Sequence, residues 1–250
     1  MSSHLNNIDN FRVLRLPDAR SEYQRQIADV SSESLGFVER LDLILMSETT
    51  ERRNRRVARR IREAGLRTVA YREEFSFESE RGITRSAFAN LVSLSWVDAS
   101  HGVLISGATG AGKTYLACVI GTEAARREMT VRYYRTSDLI EKLALARADG
   151  SHRSLAAFYR KVDLLILDDF GLSAIPVSAS RELLEILDDR VDVASTVIAS
   201  QFPPETFGRL IDDATAGDAI LDRIVHDAII VNLTGESMRK LKARRRSLED

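Results

Sequence analysis

Gly107-Ala108-Thr109-Gly110-Ala111-Gly112-Lys113-Thr114 decides the fold. A short β-branched run at 102–106 precedes it, and a helical pattern at 113–128 follows it. Strand, glycine-rich turn and a helix opening on Lys-Thr are the context a phosphate-binding loop requires. The glycines let backbone N–H groups converge on phosphate oxygens, and the helix N-terminus adds its positive dipole. In such a loop Lys113 reaches the β- and γ-phosphates of ATP, and the Thr114 hydroxyl ligates Mg2+. A chance glycine-rich turn would have no reason to carry both flanks.

Outward from the loop, short apolar runs at 130–135, 164–168, 195–200 and 229–233 alternate with helical patterns at 137–148, 178–191 and 219–225. That alternation predicts an α/β domain whose parallel sheet is covered on both faces. Leu164-Leu165-Ile166-Leu167-Asp168-Asp169 is an apolar strand ending in two acids. It places carboxylates at the carboxyl edge of the sheet, where phosphates sit. Asp168 is the candidate acid for Mg2+, and Asp169 the candidate for orienting or deprotonating the attacking water. Aspartate is one methylene shorter than the glutamate found second in many ATPases of this layout. The run Thr196-Val197-Ile198-Ala199-Ser200-Gln201 ends in two polar residues, either of which would serve as a γ-phosphate sensor if its strand lies beside the loop strand. Arg223, in Leu221-Asp222-Arg223-Ile224-Val225-His226, is the candidate arginine supplied to a neighbouring subunit's nucleotide. Arg239, in Gly235-Glu236-Ser237-Met238-Arg239-Lys240, is a candidate phosphate contact at the start of a basic helix.

Before residue 100 the pattern is helical and the charge changes sign. Phe37, Val38, Leu41, Ile44 and Leu45 recur at helical spacing behind Ser32, a plausible N-cap. A second helix is predicted over 49–64, with Val57, Ala58, Ile61 and Ala64 as its stripe and Gly65 as its C-cap. Residues 1–30 read as partly helical or an extended lead-in, broken at Pro17. Seven arginines (Arg52, Arg53, Arg55, Arg56, Arg59, Arg60 and Arg62) fall within eleven residues with no acid among them. Like charges at i,i+4 oppose a helix by ~0.2–0.5 kcal/mol each. Phosphates would relieve that repulsion, and without interleaved aromatics the duplex backbone is the better target than stacked single-strand bases. The expected organisation is an Arg-rich helical N-terminal domain over 1–70, a linker packing on the core over 71–100 and the α/β core over 101–250.

The formal net charge of −1 conceals this segregation. Residues 1–70 carry 13 basic and 10 acidic side chains, residues 71–235 carry 17 and 24, and residues 236–250 carry 6 and 3. One cysteine, Cys118, excludes an intrachain disulfide framework, and four scattered histidines argue against a zinc centre. With no apolar run near membrane-spanning length and no signal-peptide core, a cytoplasmic protein without membrane contact is expected, nucleoid-associated when on DNA.

The ordered set of marks from Gly107 to Lys240, with the arginine-dense helix before it, resembles the IstB-like transposition helpers of the IstB/DnaC branch of AAA+ ATPases. The likeness spans roughly residues 32–245. It implies an AAA+ core without the C-terminal lid of larger relatives. It further implies a homo-oligomer with nucleotide at subunit interfaces. Such an ATPase would bind double-stranded DNA, hydrolyse ATP with Mg2+ and deliver target DNA to the transposase of the same element. A helicase loader of the same branch, a P-loop small-molecule kinase and a DNA-binding scaffold with idle ATP are the competing expectations.

Overall fold

Among the described residues five short strands form one sheet: β1 (Val103–Gly107), β2 (Val131–Arg135), β3 (Leu164–Asp168), β4 (Ser195–Ser200) and β5 (Ile229–Leu233). The structure, a computed structural model, describes residues 2–77 and 81–238. The strands pair in parallel in the order β2-β3-β4-β1-β5. The helices in chain order are α1 (Ser2–Val13), α2 (Pro17–Ala28), α3 (Phe37–Ala64), α4 (Arg85–Ser93), α5 (Ser95–Asp98), α6 (Lys113–Arg126), α7 (Thr136–Asp149), α8 (His152–Arg160), α9 (Val177–Asp188) and α10 (Ala214–Val225). The chain divides into two compact units, Met1–Arg59 and Arg60–Asp250.

In the second unit, period-two alternation sends successive strand residues to opposite faces. Val103, Ile105, Leu164, Ile166, Val197 and Ala199 pack on one face with Leu116 and Ile120 of α6, and with Phe88 and Trp96 of α4 and α5. Leu104, Leu165, Leu167 and Ile198 pack on the other with Leu139, Leu183 and Ile220 from α7, α9 and α10. Residues on both faces are apolar because neither meets water, as expected of a parallel sheet. Ala64, Ala70, Phe75, Phe88 and Trp96 are buried in the same cluster as the sheet. The unit therefore starts at Arg60, before the boundary at residue 70 that the sequence suggests.

Two helices differ from expectation. α8 adds a helix between the patterns at 137–148 and 164–168: Leu155, Phe158 and Tyr159 follow helical spacing, and Tyr159 is fully buried. α10 begins five residues earlier than residue 219, because Asp213 caps it: its Oδ1 accepts from the Ala216 N–H at 3.2 Å. Among the described residues no helical bundle follows β5, and no helix is long and apolar enough to cross a membrane.

In the first unit, Pro17 starts α2 at its first position rather than simply breaking a helix, since its fixed φ suits a first turn. α3 is one continuous helix of 28 residues, not two. No glycine or proline interrupts the polar stretch 47–50, and the Thr49 hydroxyl bonds back to the carbonyls of Leu45 (3.0 Å) and Met46 (3.1 Å). Ser32 is not its N-cap; it lies in the 3-10 turn Val30–Ser34, and the Gly36 N–H donates to Glu39 Oε2 at 2.9 Å at the helix start. Of Phe37, Val38, Leu41, Ile44 and Leu45 only Ile44 is buried, whereas Phe37 and Val38 are exposed. Glu48 ties α3 to α2. Its Oε2 accepts from the N–H groups of Asp18 (2.9 Å) and Ala19 (3.1 Å), capping α2, while Oε1 takes Arg52 Nε at 2.6 Å.

Candidate functional site

The glycine-rich loop turns at the carboxyl end of β1 and opens α6 at Lys113. Gly107 and Gly110 have φ of +143° and +87°, backbone that side chains rarely adopt. A Cβ at Gly107 would lie 2.2 Å from Leu233 O, and one at Gly110 would lie 2.3 Å from Ser237 Oγ. The segment after β5 therefore braces the loop, and the Met238 N–H donates to Gly110 O at 2.9 Å.

A cavity of about 560 Å³ opens over this loop. Its wall includes Thr109, Gly110, Gly112, Lys113 and Thr114 from the loop, Asp169 from the end of β3 and Gln201 from the end of β4. Lys113 Nζ donates to Gly107 O (2.7 Å) and Ala108 O (3.0 Å), so the ammonium sits in the mouth of the loop. Burial lowers its pKa, opposed by the charges of Asp168 and Asp169.

Asp168 is the most constrained polar group of the site. It is 1% exposed, and its Oδ2 accepts from Thr114 Oγ1 at 2.7 Å and from the Tyr133 hydroxyl at 2.6 Å. Its Oδ1 is buried with no hydrogen-bond partner among the described residues. A buried carboxylate oxygen without a donor fits a cation. Among the described residues no group of three or more His, Cys, Asp or Glu could hold a metal ion. Mg2+ needs no such cage, since it keeps waters and takes one or two carboxylates plus substrate phosphates. With its one proton given to Asp168, the Thr114 hydroxyl keeps its lone pairs for a metal. Burial raises the pKa of the Tyr133 hydroxyl, and the bond to Asp168 raises it further.

Asp169 adopts φ +54°, in the left-handed region. Its Oδ2 lies 4.0 Å from Arg67 and 3.9 Å from Arg135, and both arginines line the cavity. Ser200 and Gln201, left open by sequence, separate clearly. β4 lies beside β1, with Ser106 opposite Ser200. Ser200 shares the face of Ile198, away from α6. Its buried hydroxyl donates to Phe170 O at 2.7 Å and accepts from the Phe202 N–H at 3.1 Å. Gln201 points to the cavity, where its Oε1 accepts from Thr109 Oγ1 at 3.1 Å.

Arg223 is not brought to this cavity. It lies in the last turn of α10, beside Ser100 and Gly102, which precede β1, and so toward the amino edge of the sheet. Its Nε bonds Asp188 Oδ1 at 2.5 Å and its Nη1 bonds Asp222 Oδ2 at 2.7 Å. Arg239 lies outside the described residues. In the arginine run, Arg52 donates to Glu48 and to Arg15 O (2.7 Å), and Arg55 pairs with Asp18 at 2.8 Å. Arg53, Arg56, Arg59 and Arg62 are exposed on α3, and Arg60 is half-buried.

Tyr133, Arg67 and Arg135 escaped the sequence. Tyr133 precedes the end of β2 by two residues, so it shares a face with Arg135, which pairs with Asp168. Only the adjacency of β2 and β3 reveals that.

The sequence profile of the IstB-like ATP binding protein family matches residues 10–247. An insertion sequence ATP-binding protein of Sinorhizobium fredii is 40% identical over 238 residues, spanning 95% of this chain and 97% of that one. Among solved structures, AMPPCP-bound DnaA from Aquifex aeolicus matches with a TM-score of 0.59 and 22% identity, over 74% of this chain and 56% of that one. DnaI matches with a TM-score of 0.58 and 22% identity, over 70% of this chain and 94% of that one. At 22% identity the last two speak to fold alone.

Proposed function

The chain belongs to the IstB-like ATP-binding family and has the AAA+ fold, and from that premise we propose that it hydrolyses ATP with Mg2+ while assembled on duplex DNA, in support of a transposase. The observation that carries the ATPase part is the Thr114–Asp168 bond at 2.7 Å beside the glycine-rich loop, with Asp168 Oδ1 buried and without a donor among the described residues. Thr114 and Asp168 would hold Mg2+, Asp168 through water. When bound, Mg2+ neutralises charge on the β- and γ-phosphates. The N–H groups of residues 107–114 and the dipole of α6 cradle the phosphates. Lys113 exchanges its loop carbonyls for phosphate oxygens. Asp169 orients the attacking water and accepts its proton. Gln201, rather than Ser200, senses the γ-phosphate.

Arg223 supports oligomerisation. It is charged and 38% exposed, and it stands at the opposite sheet edge from its own cavity. An arginine so placed serves a neighbour's nucleotide. A neighbouring copy's arginine in trans can contribute ~10³–10⁵ in rate. The arginine run on α3 supplies the contact to the DNA backbone. The insertion-sequence names of the relatives support a transposase of the same element as partner.

The test combines light scattering with phosphate release, each with and without ATP and duplex or single-stranded DNA. Assembly and turnover that rise with ATP and duplex together, and vanish in Lys113→Ala, are expected. A monomer under all conditions would overturn the assembly reading, and a preference for single strands would favour a helicase loader. Wild-type turnover in Lys113→Ala would overturn the site.

A further inference from the structure

We infer that Tyr133 is a positioning residue for Asp168, fixing which carboxylate oxygen is presented to the divalent cation. The inference rests on the reading of the cavity as a Mg-ATP site.

Tyr133 sits on β2, next to β3, on the sheet face that packs against α6. It is 8% exposed, and its hydroxyl donates to Asp168 Oδ2 at 2.6 Å. Thr114 donates to the same oxygen. Two donors from two different elements converge on one oxygen and leave the other, Oδ1, buried without a donor among the described residues. That asymmetry is the point. The terminal torsion of an aspartate is broad and nearly two-fold, so one donor alone leaves the two oxygens nearly interchangeable. A second donor, fixed to a neighbouring strand by a buried ring, defines one orientation. Thr114 holds that oxygen from α6 alone, and the Tyr133 hydroxyl adds a second, independent tether from β2. Groups that orient a metal-binding side chain typically carry about 10–100-fold in metal affinity.

The bland alternative is that a buried phenol merely needs an acceptor. Thr136 provides the control. Its Oγ1 donates at 3.1 Å to the backbone oxygen of Asp168, not to its carboxylate. A hydroxyl lost there loosens the same residue without touching the side-chain torsion.

The experiment titrates a fluorescent ATP analogue onto the full-length protein at fixed EDTA or rising Mg2+, for wild type, Tyr133→Phe and Thr136→Val, with a melting curve for each. In Tyr133→Phe the Mg2+ concentration that tightens nucleotide binding should rise by about tenfold. Its affinity in EDTA should stay within about twofold of wild type, because the loop that cradles phosphates is untouched. Thr136→Val should follow wild type in its Mg2+ dependence whatever its melting temperature. An unshifted Mg2+ midpoint in Tyr133→Phe overturns the inference, as does an equal shift in both variants. A wild type that binds nucleotide in EDTA but shows no Mg2+ dependence overturns the reading of Thr114 and Asp168 as the metal site, and the role of Tyr133 with it. Failure of the site and failure of the positioning role are thereby separate results.

Discussion

Asp169→Asn should separate catalysis from architecture at the end of β3. The backbone there has φ +54°, which costs most L-residues roughly 1–2 kcal/mol. Aspartate and asparagine tolerate it best, so Asn keeps that cost nearly unchanged. What Asn loses is charge. The two arginines lie 4.0 and 3.9 Å away and are 39% and 48% exposed, so screening holds each pair to about 0–1 kcal/mol. The summed loss is about 1 kcal/mol, or a melting shift of about 2–4 °C for a chain of this size. Turnover at saturating Mg-ATP should fall by about 10²–10⁴, the usual worth of a positioned base. Asp169→Val isolates the backbone term: a β-branched residue at this φ adds about 1–2 kcal/mol of destabilisation. The assay pairs calorimetric melting with steady-state phosphate release, using Lys113→Ala as the inactive baseline. Turnover within threefold of wild type in Asp169→Asn would refute the assignment of the base. Equal melting losses in the Asn and Val variants would refute the backbone reasoning.

Gly110→Ala places a Cβ 2.3 Å from Ser237 Oγ at φ +87°, so it should weaken nucleotide binding and destabilise by about 1–3 kcal/mol, checked by titration and melting. Glu48→Ala removes the acceptor of two α2 amides and should cost ~0.5–2 kcal/mol, read by urea titration followed by circular dichroism. Burial pushes the Glu48 carboxyl up, but its bonds to Ala19, Arg52 and Asp18 outweigh it and the net pKa is lowered. Its contribution is therefore complete above the ordinary Glu range near pH ~4.3 and fades as pH falls through the lower folded value, so the Glu48→Ala deficit should shrink in acid. Replacing Arg52 and Arg55 by Ala should flatten the salt dependence of DNA binding by less than the ~0.9 per phosphate that two unengaged contacts would give, because both already bind carboxylates. A full loss of about 1.8 would mean that they leave Glu48 and Asp18 for phosphate.

The loop and the strands were legible because their signals are local. Residues 107–114 carry their own turn chemistry, and β3 announces itself by four apolar residues before Asp168. The choice between Ser200 and Gln201 was not legible. Adjacent strand residues point to opposite faces, and nothing in 196–201 says which face meets the phosphates. Once β4 is seen beside β1, with Ile198 packed away from α6, parity assigns Ser200 to the far face, while Gln201, one residue past the strand, turns into the cavity and bonds Thr109. The same parity hid Tyr133. Its partner is 35 residues away, on a strand whose adjacency only the assembled sheet supplies.

The arginine run shows the limit of reading charge by counting. Repulsion along α3 looks like a helix waiting for phosphate, yet part of that charge is answered within the first unit. Asp18 lies 37 residues before Arg55, and Glu48 precedes Arg52 by one turn. Glu48 does two jobs at once, accepting the amides that open α2 and taking Arg52. An arginine so used helps hold α2 on α3, and its recruitment to DNA would loosen the unit that presents the rest. On the proposed reading of the run as a DNA contact, affinity for DNA and the stability of residues 1–59 would be coupled at these two positions. The coupling has a sign: a polyanion that draws Arg52 away leaves Glu48 buried with two amides and only Arg55, 4.0 Å away, as its cation, which disfavours that exchange. Arg52 and Arg55 thus work as struts first, and the count of seven overstates the charge that the run offers to phosphate.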